Sequence, residues 1–310
     1  MNGARVAFIT VLGDPHISAQ AIAIYPGAWK TDMTRIAFIG GGNMARSLMG
    51  GLLRTGWAAA AITVSEPREE ARQSLQSEFG VACHAESRLA ADDADVLLLA
   101  VKPQIMRSVC AELGDTLQRT RPLLISIAAG VRIDQLERWF GDDLPIVRCM
   151  PNMPALIGVG ATGLCASRTV SAAQRMRAQH ILSAVGLTCW IDNETQMDTV
   201  TALSGSGPAY FFAFVEALVD AAVAQGLPLD IARTLSAQTC LGAGRMLVEG
   251  QETSSALRQR VTSPNGTTQA GLESFSSDGL PRITANAMAA ATRRSMELAN
   301  ELDCLHVASI

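Results

Sequence analysis

Short apolar runs alternate with stretches of helical spacing over the first two thirds of the chain, and this alternation restricts the fold more than any other feature. The runs are IAFIG (36–40), ITVSE (62–66), DVLLLAV (95–101), LLISIAAG (123–130) and IVRCM (146–150). Runs of this length and composition predict buried strands, and strands that alternate with helices predict a parallel sheet covered on both faces. The alternation therefore predicts a doubly wound α/β fold.

The pattern changes after residue 192. A short strand pair (158–166), a helix (170–185) and a strand (187–191) are expected to complete the sheet. Beyond them, apolar residues at helical spacing predict helices, without a strand candidate, over 208–225, 230–249, 252–261 and 281–303. We predict a dinucleotide-binding Rossmann domain over 33–193 and an all-α substrate and oligomerisation domain over 194–310.

Residues 1–32 match neither pattern, and Met33 stands directly before the first strand. We interpret this segment as an extension, either a disordered tail or the product of an upstream start codon, and assign it no function.

The composition excludes several classes of protein. The net charge of -4 argues against a nucleic-acid surface, which needs a basic face. The seven Cys lack CxxC spacing, which favours a reducing compartment, and we expect no metal site. No apolar run of membrane-span length and no signal peptide are recognised. The Ala- and Leu-rich helical part has more apolar surface than one chain easily buries. We therefore predict a cytoplasmic homo-oligomer.

The segment that follows the first strand is glycine-rich. Gly40, Gly41 and Gly42 precede Asn43, Met44 and Ala45, and the segment matches GxGxxA between a strand and a helix. Small residues there permit a tight turn whose backbone N–H groups approach a pyrophosphate. Glu66, at the end of the second strand, is expected to accept hydrogen bonds from the adenine ribose of NADH, whereas Ser65 and Arg68 would hold the 2′-phosphate of NADPH. The sequence leaves both cofactors open.

Two later strand ends face the same crevice, because ligands of open α/β sheets bind at the carboxyl ends of the strands. They comprise Ala100, Val101, Lys102 and Pro103, and then Ala128, Ala129 and Gly130. Lys102 is a candidate for a phosphate contact, and a solvated lysine is the alternative. The turn MPNMP (150–154) is interpreted either as a wall beside the nicotinamide or as a rigid connection.

A polar segment without charge, VTSPNGTT (261–268), precedes a helical start. Its Thr267 and Thr268 are expected to cap that helix, whose first N–H groups attract a small anion without Lys or Arg. The alternative is an ordinary capped turn. No His lies in a polar turn, and no Lys follows residue 102, which argues against a His acid/base and excludes a Lys from the helical part. We therefore expect an imine substrate, because reduction of an imine by hydride needs little help from a strong base.

The motifs AVKP (100–103), MPNMP (150–154), LSGSGPAY (203–210) and VTSPNGTT (261–268), in this order behind IGGGNM, resemble those of the pyrroline-5-carboxylate reductase family. The resemblance runs from Met33 to about Leu302. It implies reduction of 1-pyrroline-5-carboxylate to L-proline by hydride transfer from NADPH or NADH, the last step of proline biosynthesis. It also implies dimers through the helical domain, with rings of dimers in many members.

The resemblance assigns roles to individual residues. The cofactor contacts fall on Ile39, Gly40, Gly41, Gly42, Asn43, Met44, Ala100, Val101, Lys102, Pro103, Ala128, Ala129 and Gly130. The substrate contacts fall on Glu194, Ser263, Gly266, Thr267 and Thr268. The last threonine is nearest the imine nitrogen and is the catalytic candidate.

Several positions depart from the family pattern, among them Asn265 and Met153. Asn265 replaces a glycine, but asparagine tolerates left-handed backbone, so the turn is expected to survive. Met153 replaces a threonine and removes a hydroxyl expected near the nicotinamide. Alternatives to the implied activity are reduction of another imino acid or of a ketone, and a dinucleotide-binding oligomer without chemistry.

Overall fold

A computed structural model describes residues 34–141 and 143–304, so the extension 1–32 lies outside the described residues. One sheet has the strand order β3-β2-β1-β4-β5-β6-β7-β8. The strands are β1 (Ile36–Ile39), β2 (Ile62–Ser65), β3 (Ala82–His84), β4 (Val96–Leu99), β5 (Leu123–Ser126), β6 (Ile146–Met150), β7 (Gly160–Ala166) and β8 (Gly186–Trp190). All neighbours pair parallel except β6 and β7, which pair antiparallel.

Helices cover both faces of this sheet. They are α1 (Asn43–Arg54), α2 (Glu69–Phe79), α3 (Ser87–Ala91), α4 (Pro103–Thr120), α5 (Ile133–Phe140) and α6 (Ala172–Ser183). The central strands β1 and β4 are buried along their whole length. Their side chains alternate between two apolar layers: Phe38 packs with α1, and Ile39 packs with α4. The predicted doubly wound α/β fold is confirmed.

The sequence predictions were wrong in three short stretches. The predicted strand pair over 158–166 is the single strand β7, which follows a 3-10 helix, Met153–Ile157. The strand β3 and the helix α3 were not predicted, because they have only 3 and 5 residues and neither repeats a pattern long enough to recognise. Gly186 begins β8 at φ 145, and a Cβ there would lie 2.1 Å from the Gly160 carbonyl oxygen. Only glycine therefore fits where β7 and β8 meet.

The remaining helices are α7 (Met197–Val200), α8 (Gly207–Ala224), α9 (Leu229–Glu249), α10 (Ser254–Arg260), α11 (Thr267–Ser277) and α12 (Leu280–Cys304). A π-helical turn, Thr201–Gly205, joins α7 to α8. The helical stretch Glu194–Ala224 is long and apolar enough to cross a membrane by length and composition alone. This helix includes Glu216 and Asp220, so the absence of an uninterrupted apolar run of that length stays a prediction.

Contacts divide the chain into two compact units. One is Ala209–Ala285, and the other joins the described residues up to Pro208 with those from Asn286 onwards. In the second unit, the Gln135 amide of α5 donates to the Ala299 carbonyl at 3.0 Å and to Asp303 at 2.9 Å. The carboxyl half of α12 is thus held by the sheet unit. The boundary predicted at residue 193 remains a prediction.

Candidate functional site

The glycine-rich turn after β1 has one glycine that the backbone requires and one that leaves space free. Gly40 has φ 101, and a Cβ there would lie 2.7 Å from the Ala100 carbonyl oxygen. Gly42 is the N-cap of α1 at φ -71, and a Cβ there would have no neighbour within 4 Å. The first turn of α1 contains no acidic side chain. Its unpaired N–H groups therefore face open space that suits an anion.

Glu66 follows β2 and lies beside this turn. Its side chain is buried, and Oε1 accepts hydrogen bonds from Arg68 Nε at 2.9 Å and from the Arg68 backbone N–H at 3.2 Å. Burial raises the pKa of Glu66, but the hydrogen bonds from Arg68, its charge and a hydrogen bond from the Gly41 N–H together hold the pKa below its ordinary value. The site therefore keeps an ionised carboxylate at the position predicted for ribose recognition.

Ser65 does not face the same space. Its side chain is buried, and its hydroxyl lies 3.4 Å from the Ser87 hydroxyl, which donates to Glu112 Oε2 at 3.0 Å. Strand side chains alternate between faces, so Ser65 is directed inwards when Glu66 lies at the rim. The hydroxyl is occupied inside the protein, which leaves Arg68 as the member of the predicted pair that is exposed.

The two later strand ends lie at the same edge of the sheet. The strands β4, β1 and β5 are parallel neighbours, and Ala100 N–H donates to the Ile39 carbonyl at 2.8 Å. Lys102 is the exposed N-cap of α4, with Pro103 at the first helical position, and its ammonium makes no hydrogen bond or ion pair with a described residue. Beyond β5, Ala128 and Gly130 are buried and Ala129 is exposed. These segments follow neighbouring parallel strands at one edge of the sheet, and the cofactor crevice expected there remains a prediction.

Asn152 gives the MPNMP turn its shape. Its amide donates to the Ser204 carbonyl at 3.0 Å, and its side-chain oxygen accepts from the Ala161 N–H at 2.9 Å. The turn is thereby tied both to β7 and to the π-helical turn. Met153, the departure from the family pattern, is 58% exposed. The turn is thus a connection held at two points that also presents an apolar side chain, and both interpretations of it stay open.

Glu194 is part of a buried ion-pair network. Its Oε1 lies 2.9 Å from Arg148 Nη1 and accepts from the Ile133 backbone N–H at 2.8 Å. Arg148, on β6, is only 3% exposed and also lies 3.8 Å from Asp198, which accepts from the Ser295 hydroxyl at 2.7 Å. The network joins β6, α5, α7 and α12. One oxygen of the predicted substrate contact is therefore occupied by internal donors.

The segment 261–268 forms a tight turn ahead of α11. Asn265 has φ 59, in the left-handed region, and Gly266 N–H donates to the Ser263 carbonyl at 3.0 Å. The expectation that Thr267 or Thr268 caps α11 was wrong, since Gly266 is the N-cap and both threonines belong to the first turn. Their exposed hydroxyls have no hydrogen-bond partner among the described residues. The turn therefore offers two uncommitted hydroxyls beside the free N–H groups of a helix start.

Groups for other chemistries are poorly placed in the described part of the chain. Burial raises the pKa of the Cys110, Cys149 and Cys165 thiols, so these side chains behave as core residues and not as nucleophiles. Among residues 34–141 and 143–304, no three His, Cys, Asp or Glu side chains are grouped as metal ligands. The glycine turn therefore offers backbone N–H groups and the Glu66 carboxylate, and the 261–268 turn by itself offers backbone N–H groups and hydroxyls.

Two family models match the chain. Residues 194–298 match a model described as pyrroline-5-carboxylate reductase dimerisation, and residues 35–130 match one described as NADP oxidoreductase, coenzyme F420-dependent. The second match covers β1 to β5, which contain the glycine turn and both later strand ends. The first covers the helical part with the 261–268 turn.

Named relatives cover almost the same span. Pyrroline-5-carboxylate reductase of Pseudomonas aeruginosa is 48% identical over 268 residues, 86% of this chain and 98% of the relative. That of Vibrio alginolyticus is 42% identical over 265 residues, 85% of this chain and 97% of the relative.

Solved structures agree with these relatives. A pyrroline-5-carboxylate reductase of Coxiella burnetii has 42% identity and a TM-score of 0.84, covering 86% of this chain and 99% of that one. A pyrroline carboxylate reductase of Plasmodium falciparum, solved with NADP bound, has 29% identity and a TM-score of 0.75, covering 86% and 98%. With matching sequence, fold and order of motifs over nearly its whole described length, the chain belongs to the pyrroline-5-carboxylate reductase family.

Proposed function

We propose that this chain reduces 1-pyrroline-5-carboxylate to L-proline with NADPH or NADH, the last step of proline biosynthesis. The observation that carries the proposal is the uncharged 261–268 turn, in which two threonine hydroxyls and the N–H groups of α11 have no internal partner. A family member with this turn intact retains donors for a carboxylate and for an imine nitrogen. The relatives named above, at up to 48% identity, support the same reaction.

The glycine turn fits the cofactor. The space beside Gly42 holds no protein atom, and a larger side chain at this position would fill it. The N–H groups of α1 suit the pyrophosphate of a dinucleotide bound in that space. Gly40, Gly41, Gly42 and Asn43 would hold the phosphates, Glu66 the ribose, and Ala100 to Pro103 with Ala128 to Gly130 the rest of the crevice. When bound, the reduced nicotinamide supplies the hydride that the imine carbon accepts.

The 261–268 turn fits a small anionic ring. The Ser263 and Thr267 hydroxyls and the first N–H groups of α11 donate hydrogen bonds to the substrate carboxylate. A Cβ on Gly266 would lie 3.1 Å from the Ser263 carbonyl oxygen, so glycine suits the tight turn. Thr268 donates a hydrogen bond to the lone pair of the imine nitrogen, and this nitrogen takes up one proton from water as the imine carbon accepts the hydride. Glu194 acts as a positioning residue, because Arg148 and the Ile133 N–H already occupy its Oε1.

A direct assay tests the proposal. The absorbance of NADH or NADPH is followed with the full chain and 1-pyrroline-5-carboxylate, and proline is identified as the product. The expected result is oxidation that depends on substrate and yields proline. A panel of other cyclic and open-chain imino acids and ketones tests the first alternative. Dinucleotide binding without oxidation of any panel member would favour the non-enzymatic oligomer.

Two alanine variants separate the roles of Gly40 and Gly42. Gly40→Ala combines a disfavoured φ with a backbone clash, so we expect it to lose about 1–3 kcal/mol of unfolding free energy. Gly42→Ala meets no protein atom within 4 Å, so stability should change by less than about 0.5 kcal/mol while the dinucleotide binds at least about tenfold more weakly. Urea unfolding and NADH fluorescence measure the two effects. Full dinucleotide affinity in Gly42→Ala would contradict this position for the pyrophosphate.

The helical part self-associates, in line with its match to a dimerisation model. Large apolar side chains on α8 and α9 are exposed in the single chain, among them Phe211 (62%), Phe212 (58%) and Leu235 (56%). Burying such a surface against a second copy stabilises a dimer through the hydrophobic effect. We propose a dimer, assembled further into a ring of dimers. We propose that the same pairing makes Glu194–Ala224 an interface helix. We also propose a soluble, cytoplasmic protein without a membrane or nucleic-acid partner.

Phe211→Asp tests this surface. Burying an unpaired carboxylate at an interface is costly, so we expect the dimer dissociation constant to rise at least about 100-fold. Sedimentation velocity of the full chain measures the change. Leu89→Asp is the matched control, because Leu89 on α3 is similarly exposed (59%) but lies outside the dimerisation match. An unchanged dimer in Phe211→Asp would place the contact elsewhere.

A further inference from the structure

The carboxyl end of β2 presents a fixed carboxylate and an exposed guanidinium. Glu66 is 6% exposed, whereas the Arg68 side chain is 75% exposed. Both Arg68 donors bind the same oxygen, Oε1. The other oxygen, Oε2, lies 3.5 Å from the point that a Cβ on Gly41 would occupy. Arg68 and the Gly41 N–H thus hold the carboxylate in place, and its oxygens, each with more than one lone pair, retain acceptor capacity beside the glycine turn.

The side chains around Glu66 determine which cationic groups could neutralise the negative charge of a ligand phosphate beside it. The Ser65 hydroxyl is directed inwards to Ser87. Arg72 Nη1 donates to the backbone carbonyls of Glu66 and Pro67, at 2.9 and 2.6 Å. Arg68 contributes its Nε to Glu66, and its two Nη nitrogens make no hydrogen bond with a described residue. A ligand phosphate would thus meet the exposed Arg68 guanidinium, which solvent screens and Glu66 already pairs, and the Arg72 guanidinium, whose Nη1 is held by two backbone carbonyls, beside a carboxylate that is buried.

We propose that Glu66 makes this chain bind NADH more tightly than NADPH, with Arg68 as the weaker and opposing determinant. The inference rests on the proposed function only in that it requires a dinucleotide at the glycine turn. The Glu66 carboxylate accepts hydrogen bonds from the ribose hydroxyls of NADH. A 2′-phosphate removes the hydroxyl donor and brings negative charge close to a carboxylate that cannot move away. Arg68 offsets part of this repulsion, and most of its own charge is already paired with Glu66.

Equilibrium binding of each dinucleotide to the full chain tests the proposal without any substrate. Nucleotide fluorescence is titrated for the wild type and three variants. We expect the wild type to bind NADH about tenfold more tightly than NADPH. Glu66→Gln should bring the ratio of the two dissociation constants to about one or invert it. Arg68→Ala should weaken NADPH binding at least about threefold and change NADH binding less.

Glu69→Gln is the matched control, since it removes a carboxylate three residues away that pairs only with the Gln73 amide. The ratio of the NADPH and NADH dissociation constants in Glu69→Gln should equal that of the wild type. If Glu66→Gln does not fold, the wild-type ratio and Glu66→Asp carry the test. Equal or tighter binding of NADPH by the wild type overturns the inference, as does an unchanged ratio in Glu66→Gln.

The outcome separates this inference from the proposed function. Preferential binding of NADH together with no reduction of 1-pyrroline-5-carboxylate would support the coenzyme inference and contradict the proposed activity. Reduction of 1-pyrroline-5-carboxylate by a chain that binds NADPH more tightly would support the proposed activity and contradict the coenzyme inference.

Discussion

Replacing Thr268 with alanine is expected to lower kcat about 100-fold, while the dissociation constant for the dinucleotide stays within about twofold. The Thr268 hydroxyl has no partner among the described residues and belongs to the first turn of α11. Its loss removes the proposed donor to the imine nitrogen and leaves the backbone N–H groups in place. Steady-state kinetics with 1-pyrroline-5-carboxylate measure the change, and NADH titration measures the binding.

Two further variants make this result interpretable. Thr268→Ser keeps a hydroxyl and should retain activity within about tenfold of the wild type. Thr262→Ala is the matched control in the same segment, because its hydroxyl donates to the Arg258 carbonyl at 2.6 Å and is already occupied. It should leave kcat unchanged. Full activity in Thr268→Ala would remove this residue from the reaction, whatever the effect of the other two variants.

Replacing Arg148 with methionine is expected to cost about 3–5 kcal/mol of unfolding free energy. Arg148 is 3% exposed and holds Glu194 Oε1 at 2.9 Å, with Asp198 at 3.8 Å. Methionine fills a similar volume but leaves two carboxylates without their shared cation. Urea unfolding at one protein concentration measures the loss, because self-association also contributes to apparent stability.

The control for this variant is Arg35→Met. Arg35 pairs with Asp93 at 2.9 Å, but both side chains are more than half exposed, so the expected cost is below about 1 kcal/mol. The double variant Arg148→Met with Glu194→Gln should recover part of the loss, since one uncompensated charge is removed. Equal stability of Arg148→Met and Arg35→Met would mean that the network contributes little.

Much of the sheet was predictable from local pattern. The runs that become β1, β4 and β5 are continuous apolar segments because both faces of these strands are covered, and such runs are recognisable without tertiary information. The strand β3, with 3 residues and a partly exposed face, carries no such signal. The predicted strand pair over 158–166 is the single strand β7, in which Gly160 and Gly163 lie where neighbours leave no room for a Cβ.

At the candidate site too, the sequence identified local motifs but not the contacts between residues far apart along the chain. The order of the motifs along the chain identified the glycine turn, the strand ends and the 261–268 turn, and φ 59 at Asn265 agrees with the expectation that asparagine preserves this turn. The sequence did not predict that Glu194 is bound to Arg148, which is 46 residues away along the chain. It also did not predict that Ser65 is directed inwards to Ser87, leaving Arg68 at the rim.

The sequence by itself determined the class of fold, the family and the chemical character of the site. Periodicity, glycine placement and the scarcity of lysine can all be read from the linear sequence without knowledge of tertiary contacts. Only the tertiary structure decided which polar groups are already occupied. Arg148 with Glu194, and Ser65 with Ser87, are pairings between distant segments that packing brings together, and burial forces each such group to find a partner. The groups that keep no partner among the described residues, the Lys102 ammonium, the Arg68 Nη nitrogens and the Thr268 hydroxyl, are therefore also a result of folding.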